Sequence, residues 1–361
     1  MRDPANAMSF FSLFITLELL QSLVYQTNLY AAQQLKDVVL KPFSRLRFWK
    51  PTTVPEMKKF LGLLILMGIV RKPQMEMFWS TDEMLETPFV RKVMSRDRFF
   101  LLWKFFHFSD NENKPENCTD KLYKVRPVYD YLIQKFRDLF QPNRQISIDE
   151  GMLAWRGRLS FRVYNPAKPI KYGIKGYILA DSATGYCWNI DLYCGNYTPL
   201  SVTIYNLLDR LLNHGYCLYM DNFYNSVSLA ESLAAAGTWV CGTLRKNRGG
   251  PAIINKIGKV IKLRKGEVIS RDNGTVMVMT WMDKRPVTMI STMHDDSFGE
   301  AAKRDRRTGT EFAARQAGYV NNVVSPSAKE SATSNTTARR TIVEECIVCT
   351  CSSLYIYVTV A

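Results

Sequence analysis

Hydrophobic and polar positions recur at two different periods along this chain, and the period changes near residue 146. Up to about residue 145 the apolar positions fall at helical spacing. Pro55, just behind Thr52 and Thr53, marks a helix opening, and the apolar positions of 56–70 are dense enough for a central buried helix. Ser95 is placed to cap the next helix, on which Phe99, Trp103 and Phe106 share one face. A shared face predicts a packed core rather than three platforms for stacking bases.

Beyond 146 the runs are short and rich in β-branched and aromatic residues, at 146–148, 177–180, 186–193, 216–220 and 239–244. Residues 181–185, Asp-Ser-Ala-Thr-Gly, join two of them as a hairpin turn. Helical stretches at 202–212 and 227–236 lie between the later runs, and Gly237 is placed as a C-cap. Three strands, a helix, a strand, a helix and a strand predict an α/β sheet with helices packed on it. Further strand-like runs follow at 276–282 and 287–291, joined by a turn at 283–286. After His294 the chain is rich in Ala, Ser, Thr, Arg and Asn with little periodicity, which predicts a largely disordered tail. An apolar, strand-like segment at 354–360 follows it.

Composition narrows the partner. In 361 residues, 48 Lys and Arg face 33 Asp and Glu, a net charge of +15. Such an excess favours a polyanion, nucleic acid being the commonest; an inert basic surface is the plainer alternative. The longest apolar stretch, 60–70, is far below the ~20 residues needed to span a bilayer, and the start of the chain reads poorly as a signal peptide, so no membrane partner is expected. The eight cysteines then read as reduced thiols rather than a disulfide framework.

Two acids stand where chemistry would want them. Asp149 ends the run at 146–148, and Asp221 ends the run at 216–220. Ligands of open α/β sheets collect beyond the carboxyl ends of strands. Two carboxylates brought together there repel unless a divalent cation lies between them, which points to a Mg2+ site of the kind that two-metal phosphoryl transfer uses. The plainer alternative is that each Asp closes a strand or caps the next helix. Around them, Arg156, Arg158, Arg162, Lys168, Lys171 and Lys175 occur between 151 and 180 without one acid. A second run, 245–265, opens with Arg245, Lys246 and Arg248 and again holds no acid. Two basic runs flanking the acids suit a DNA backbone channel, with two solvated basic faces as the alternative. Tyr164, Tyr172, Trp155 and Trp239 are candidates for stacking on unpaired bases.

The longer motifs carry a resemblance. Ser147-Ile148-Asp149-Glu150-Gly151-Met152 with Trp155-Arg156-Gly157-Arg158, and Asn165-Pro166-Ala167-Lys168-Pro169 with Lys171-Tyr172-Gly173-Ile174-Lys175, are similar to the first catalytic block of piggyBac transposases. Met220-Asp221-Asn222-Phe223-Tyr224-Asn225-Ser226 and the run from Gly242 to Arg248 resemble the second. Thr27-Asn28-Leu29-Tyr30-Ala31 and Met94-Ser95-Arg96-Asp97-Arg98-Phe99 resemble the family's helical region. The resemblance implies an α/β fold with an RNase H-like mixed sheet core, a helical dimerisation and DNA-binding region, and a small β-rich insertion. Carried over, these are 1–145 for the helical region, 146–247 with a returning strand at 287–294 for the core, 248–286 for the insertion, and a divergent tail at 295–361. It implies DNA as the partner, a homodimer, a nuclear location, and excision and integration of DNA at TTAA targets, with Asp149 and Asp221 as the first two catalytic and metal-binding aspartates.

The third carboxylate departs from the pattern. Where the family continues into a Gly-Gly-Val-Asp-x-x-Asp-Gln-like block, this chain runs Glu300-Ala301-Ala302-Lys303-Arg304-Asp305-Arg306-Arg307. Asp295, Asp296 and Asp305 are nearby acids outside any such motif. Losing one ligand disturbs in-line geometry, and ~1 Å of misplacement costs about 10²-fold. Cys346, Cys349 and Cys351 echo the family's zinc domain, but a closed zinc site wants four ligands, so zinc is not expected. The sequence therefore predicts a domesticated, catalytically defective DNA-binding remnant of a transposase. An active metal-dependent transposase and a truncated chain without a role of its own are the alternatives.

Overall fold

The amino-terminal sequence builds helices that hide one aromatic stripe. In the computed structural model, which describes residues 4–166, 168–296, 298–304 and 311–317, six helices come first: α1 (Pro4–Phe14), α2 (Leu17–Leu35), α3 (Val54–Ile69), α4 (Pro88–Val93), α5 (Arg96–Phe105) and α6 (Arg126–Leu139). Two compact units divide the chain, one of Met1–Gln141 and Leu153–Ile174, the other of Pro142–Met152 and Lys175–Glu344. Pro55 opens α3 as expected. The Ser95 hydroxyl accepts from the Arg98 amide to cap α5. Phe60 of α3 meets Phe99 at 5.2 Å and Phe106 at 5.1 Å between ring centroids. All three are buried, so the shared aromatic face is core, with Trp103 stacked on Phe99 at its half-buried margin. Among the described residues no single helix is long and apolar enough to cross a membrane.

One ion pair ties α3 to α5. Arg98 donates to both carboxylate oxygens of Glu56, at 2.7 and 2.5 Å, and the Thr52 hydroxyl donates to the same group at 2.7 Å. Burial pushes the Glu56 carboxyl up, the bonds from Arg98 and Thr52 pull it down, and the net direction is down. A carboxyl depressed in the folded state stabilises fully above its unfolded pKa and loses that contribution as pH falls through the folded value. We therefore expect Glu56→Gln to cost about 1–2 kcal/mol at neutral pH, less than for a fully buried pair because both side chains keep some solvent. The gap to the wild type should close as the pH drops below the carboxylate range. Denaturant melts at several pH values check this, and a gap independent of pH would refute it.

The strand-forming half then begins. Its elements are β1 (Gln145–Ala154), β2 (Val163–Tyr164), β3 (Tyr172–Asp181), β4 (Cys187–Leu192), α7 (Leu200–Leu208), β5 (Cys217–Met220), α8 (Val227–Ala235), β6 (Trp239–Thr243), α9 (Ala252–Lys256), β7 (Val268–Asp272), β8 (Met277–Met282) and β9 (Pro286–Ser291). β4 pairs with β3, and the path continues β3-β1-β5-β6. β3 and β4 are antiparallel, whereas β1–β5 and β5–β6 are parallel. That order is an RNase H-like core. β5 is short and mainly buried, as a central parallel strand should be. Gly237 follows α8 at φ +61°, the left-handed C-cap that its position in the sequence predicts.

The sheet goes on past β6: β9, the returning strand, pairs with β6, and β8 and β7, from the segment 248–286, pair with β9 and with each other, all antiparallel. Cys241, Met277 and Met279 share one buried cluster, and Thr280 and Thr288 join hydroxyls at 2.8 Å across β8 and β9. Within the segment expected to be disordered, β10 (Phe298–Arg304) and β11 (Glu311–Ala317) pair as an antiparallel hairpin. Asp305, the cysteines at 346, 349 and 351, and the strand-like stretch 354–360 lie outside the described residues.

Candidate active site

Parallel pairing of β1 with β5 sets the register Ile146 on Leu218, Ser147 on Tyr219 and Ile148 on Met220. Asp149 and Asp221 each stand one residue beyond the last of these pairs, so two neighbouring strands bring them to the same level of the sheet. Both are exposed. Asp149 Oδ1 accepts from the Glu150 amide at 2.7 Å, and Asp221 Oδ1 accepts from the Phe223 amide at 2.7 Å. The second bond is an Asx-type turn that starts the loop between β5 and α8. Asp221 does not cap that helix: the Ser226 hydroxyl does, accepting from the Leu229 amide at 3.2 Å. The helix-capping alternative for Asp221 is therefore excluded.

The loop after Asp221 is gripped from three sides. Asn225 is buried, and its Nδ2 donates to the carbonyls of Met220 and Thr243, each at 3.0 Å, tying the end of β5 to β6. Arg245 Nε donates to Asn222 Oδ1 at 2.8 Å while its guanidinium lies 5.6 Å from the Phe223 ring centre. Arg248 donates to the Phe223 carbonyl at 3.3 Å. Lys175 Nζ donates to Glu150 at 3.0 Å and sits 4.5 Å from the Tyr177 ring centre and 4.8 Å from that of Phe223. Phe223 thus lies within cation–π range of both Lys175 and Arg245.

Tyr224 is the residue that sequence reasoning passed over. Its side chain is buried and its hydroxyl has no hydrogen-bond partner. Burial pushes the phenol far above its ordinary range, and the nearby charges of Glu150, Asp149 and Asp221 push it further. Carboxylate oxygens at one level of the sheet suit a hard divalent cation better than a soft metal. Asp149 and Asp221 fit as two ligands, whereas Glu150 is committed to Lys175. Among the described residues no group of three His, Cys, Asp or Glu side chains is close enough to hold a metal ion. Asp296 accepts from Ser270 at 2.6 Å instead.

The basic residues separate into two groups. Lys175, Arg245, Lys246 and Arg248 belong to the second unit, beside the acids in sequence; Lys246 Nζ donates to the Ile257 carbonyl at 2.6 Å. Arg156, Arg158, Arg162, Lys168 and Lys171 belong to the first unit. There Arg162 braces the loop through the carbonyls of Arg156 and Gly157, at 3.1 and 3.2 Å, and lies over the Tyr172 ring. Tyr164 and Tyr172 are exposed, with ring centroids 4.6 Å apart. Trp155, a stacking candidate in the sequence, is buried instead, whereas Trp239 is exposed.

The chain is similar to known proteins. The family model described as Transposase IS4 matches residues 6–322. PiggyBac transposable element-derived protein 3 of Homo sapiens is 26% identical over 303 residues, which is 81% of this chain and 48% of that protein. PiggyBac transposable element-derived protein 2 of Homo sapiens is 24% identical over 306 residues, 79% of this chain and 48% of that protein. The chain thus spans about half the length of these relatives. A piggyBac transposase synaptic complex with hairpin DNA, solved by cryo-EM, has the same fold at a TM-score of 0.74 and 24% identity, covering 97% of this chain and 74% of that one.

Proposed function

This chain belongs to the piggyBac-type transposase family, and on that premise we propose that it is a nuclear DNA-binding protein in which the ancestral DNA-cutting chemistry is lost. The observation that carries the proposal is the half-kept site: Asp149, midway along β1, and Asp221, just past the end of β5, stand at one level of two parallel strands, with no third carboxylate joining them among the described residues. Asp149 and Asp221 would hold the divalent cation the family implies, Mg2+ on our reading, which when bound supplies an activated oxygen and charge stabilisation for phosphoryl transfer. With two carboxylates only, in-line geometry is poorly fixed. The rest of the site suits backbone binding. Arg245 and Arg248 brace the loop through one side-chain hydrogen bond each and keep further donors for phosphate oxygens.

The second reading is an active transposase. It draws on the surviving register of the two aspartates and on the orphaned Tyr224 hydroxyl, with Asp295 or Asp296 as the replacement ligand. Incubating the chain with supercoiled plasmid and Mg2+ separates the two. We expect no nicking above background, and duplex affinity within about twofold of wild type for Asp149→Asn and Asp221→Asn, since a carboxylate facing phosphate contributes nothing favourable. Nicking by the wild type that both substitutions abolish would establish the second reading instead.

A further inference from the structure

The loop that carries Asp221 also forms one wall of a pocket of about 840 Å³ in the second unit. Its opposite wall is the segment between β4 and α7 together with the first turn of α7. The two sides differ in chemistry. Phe223 and Tyr197 present aromatic rings, and Tyr197, at 92% exposure, covers no core of its own. Ser201 and Ser228, on the first turns of α7 and α8, contribute hydroxyls that both donate and accept. Arg248 is the cation of the lining and Asp191 its acid. Pro199, the residue before α7, makes no side-chain bond to that helix's first turn.

A volume of this size holds a small ligand of one or two rings with a substituent. A purely apolar ligand would cover the Ser201 hydroxyl without giving it a partner. A polyphosphate would find a single arginine in the lining. What matches rings, hydroxyls and one cation is a planar heterocycle with N–H and C=O edges that carries one phosphate. We infer that this pocket binds a single nucleotide unit with its base unpaired, the base stacked on Tyr197, its edge read by the serine hydroxyls, and its phosphate held by Arg248. The inference rests on the DNA-binding reading only for the source of that nucleotide: a DNA strand, rather than a free mononucleotide. A base drawn out of the duplex beside Asp221 would bring a chosen position of the strand to the acids.

The test uses the full chain, a DNA duplex with one unpaired 2-aminopurine, the same duplex fully paired, and deoxyadenosine 5′-monophosphate. We expect about tenfold tighter binding to the duplex with the unpaired base than to the paired one, the order of a single base–aromatic stack. Tyr197→Ala should abolish that preference without changing affinity for paired duplex, and Tyr197→Phe should restore it. The side chain is exposed, so neither variant disturbs a core. Equal affinity for both duplexes and no mononucleotide binding would overturn the pocket while leaving DNA binding intact. Mononucleotide binding lost in Tyr197→Ala, without DNA binding, would support the pocket and sink the DNA reading. Binding of neither probe would sink both.

Discussion

Duplex DNA affinity should fall about 10³-fold between ~50 and ~200 mM salt, with a log–log slope near −5, as for a protein that neutralises roughly six phosphates. The net charge of +15 sets the sign of the effect, and the side chains set its distribution. Arg156, Arg158 and Lys171 are exposed, as is Arg245 beside Asn222. Replacing any one of these by Gln should lower the slope by about 0.9. Lys175 should behave differently. Its ammonium faces the Glu150 carboxylate at 3.0 Å with both side chains largely covered, so its charge is already balanced and Lys175→Gln should leave the slope nearly unchanged. Affinity measured at four or five salt concentrations tests the whole pattern. A slope near zero would remove DNA as the partner. Equal slope changes at Lys175 and Arg156 would mean that internal pairing does not decide which cations meet the backbone.

That contrast marks how far the sequence could be read. Periodicity found the aromatic core of the helical half because Phe99 and Phe106 recur at helical spacing, and caps found its boundaries because Ser95 and Gly237 act locally. The two aspartates were legible for the same reason, since each follows a short run of strand-forming residues and a helix between the runs favours parallel pairing, although β1 runs on past Asp149 to Ala154. The continuity of β7 and β8 with the core was not legible. Val268–Asp272 reads as polar and half-exposed, and only its pairing with Met277–Met282 makes it a strand of the same sheet. Nor could spacing tell that Trp155 is buried while Tyr164 and Tyr172 remain exposed, because burial is set by segments distant in sequence. The same limit hid Tyr224. A tyrosine two residues beyond the Asp221-Asn222 pair looks like any aromatic until its hydroxyl is seen buried without a hydrogen-bond partner.

Gly242→Ala should be the most damaging single-methyl change in the second unit, although it alters no charge and no candidate ligand. Gly242 pairs with Met220 across β6 and β5, one residue before Asp221. A Cβ at this position would overlap the Met220 carbonyl oxygen and the Asn225 amide nitrogen. Neither is the free end of a flexible side chain. The carbonyl belongs to the strand, and the amide is buried and bonded to both Met220 and Thr243. Relief requires β5 and β6 to part, which breaks the Asn225 bridge and carries Asp221 out of register with Asp149. Overpacking of this kind costs on the order of 3 kcal/mol, or about 6–12 °C in melting temperature for a unit of this size. Gly62 is the control. It lies in α3 with nothing within 4 Å of a built Cβ, so Gly62→Ala should be neutral or stabilise the helix by up to about 1 kcal/mol. Calorimetric melts of both variants decide the matter. If Gly242→Ala melts with the wild type, the close approach of β6 to the Met220 carbonyl is not what holds the Asp221 loop in place.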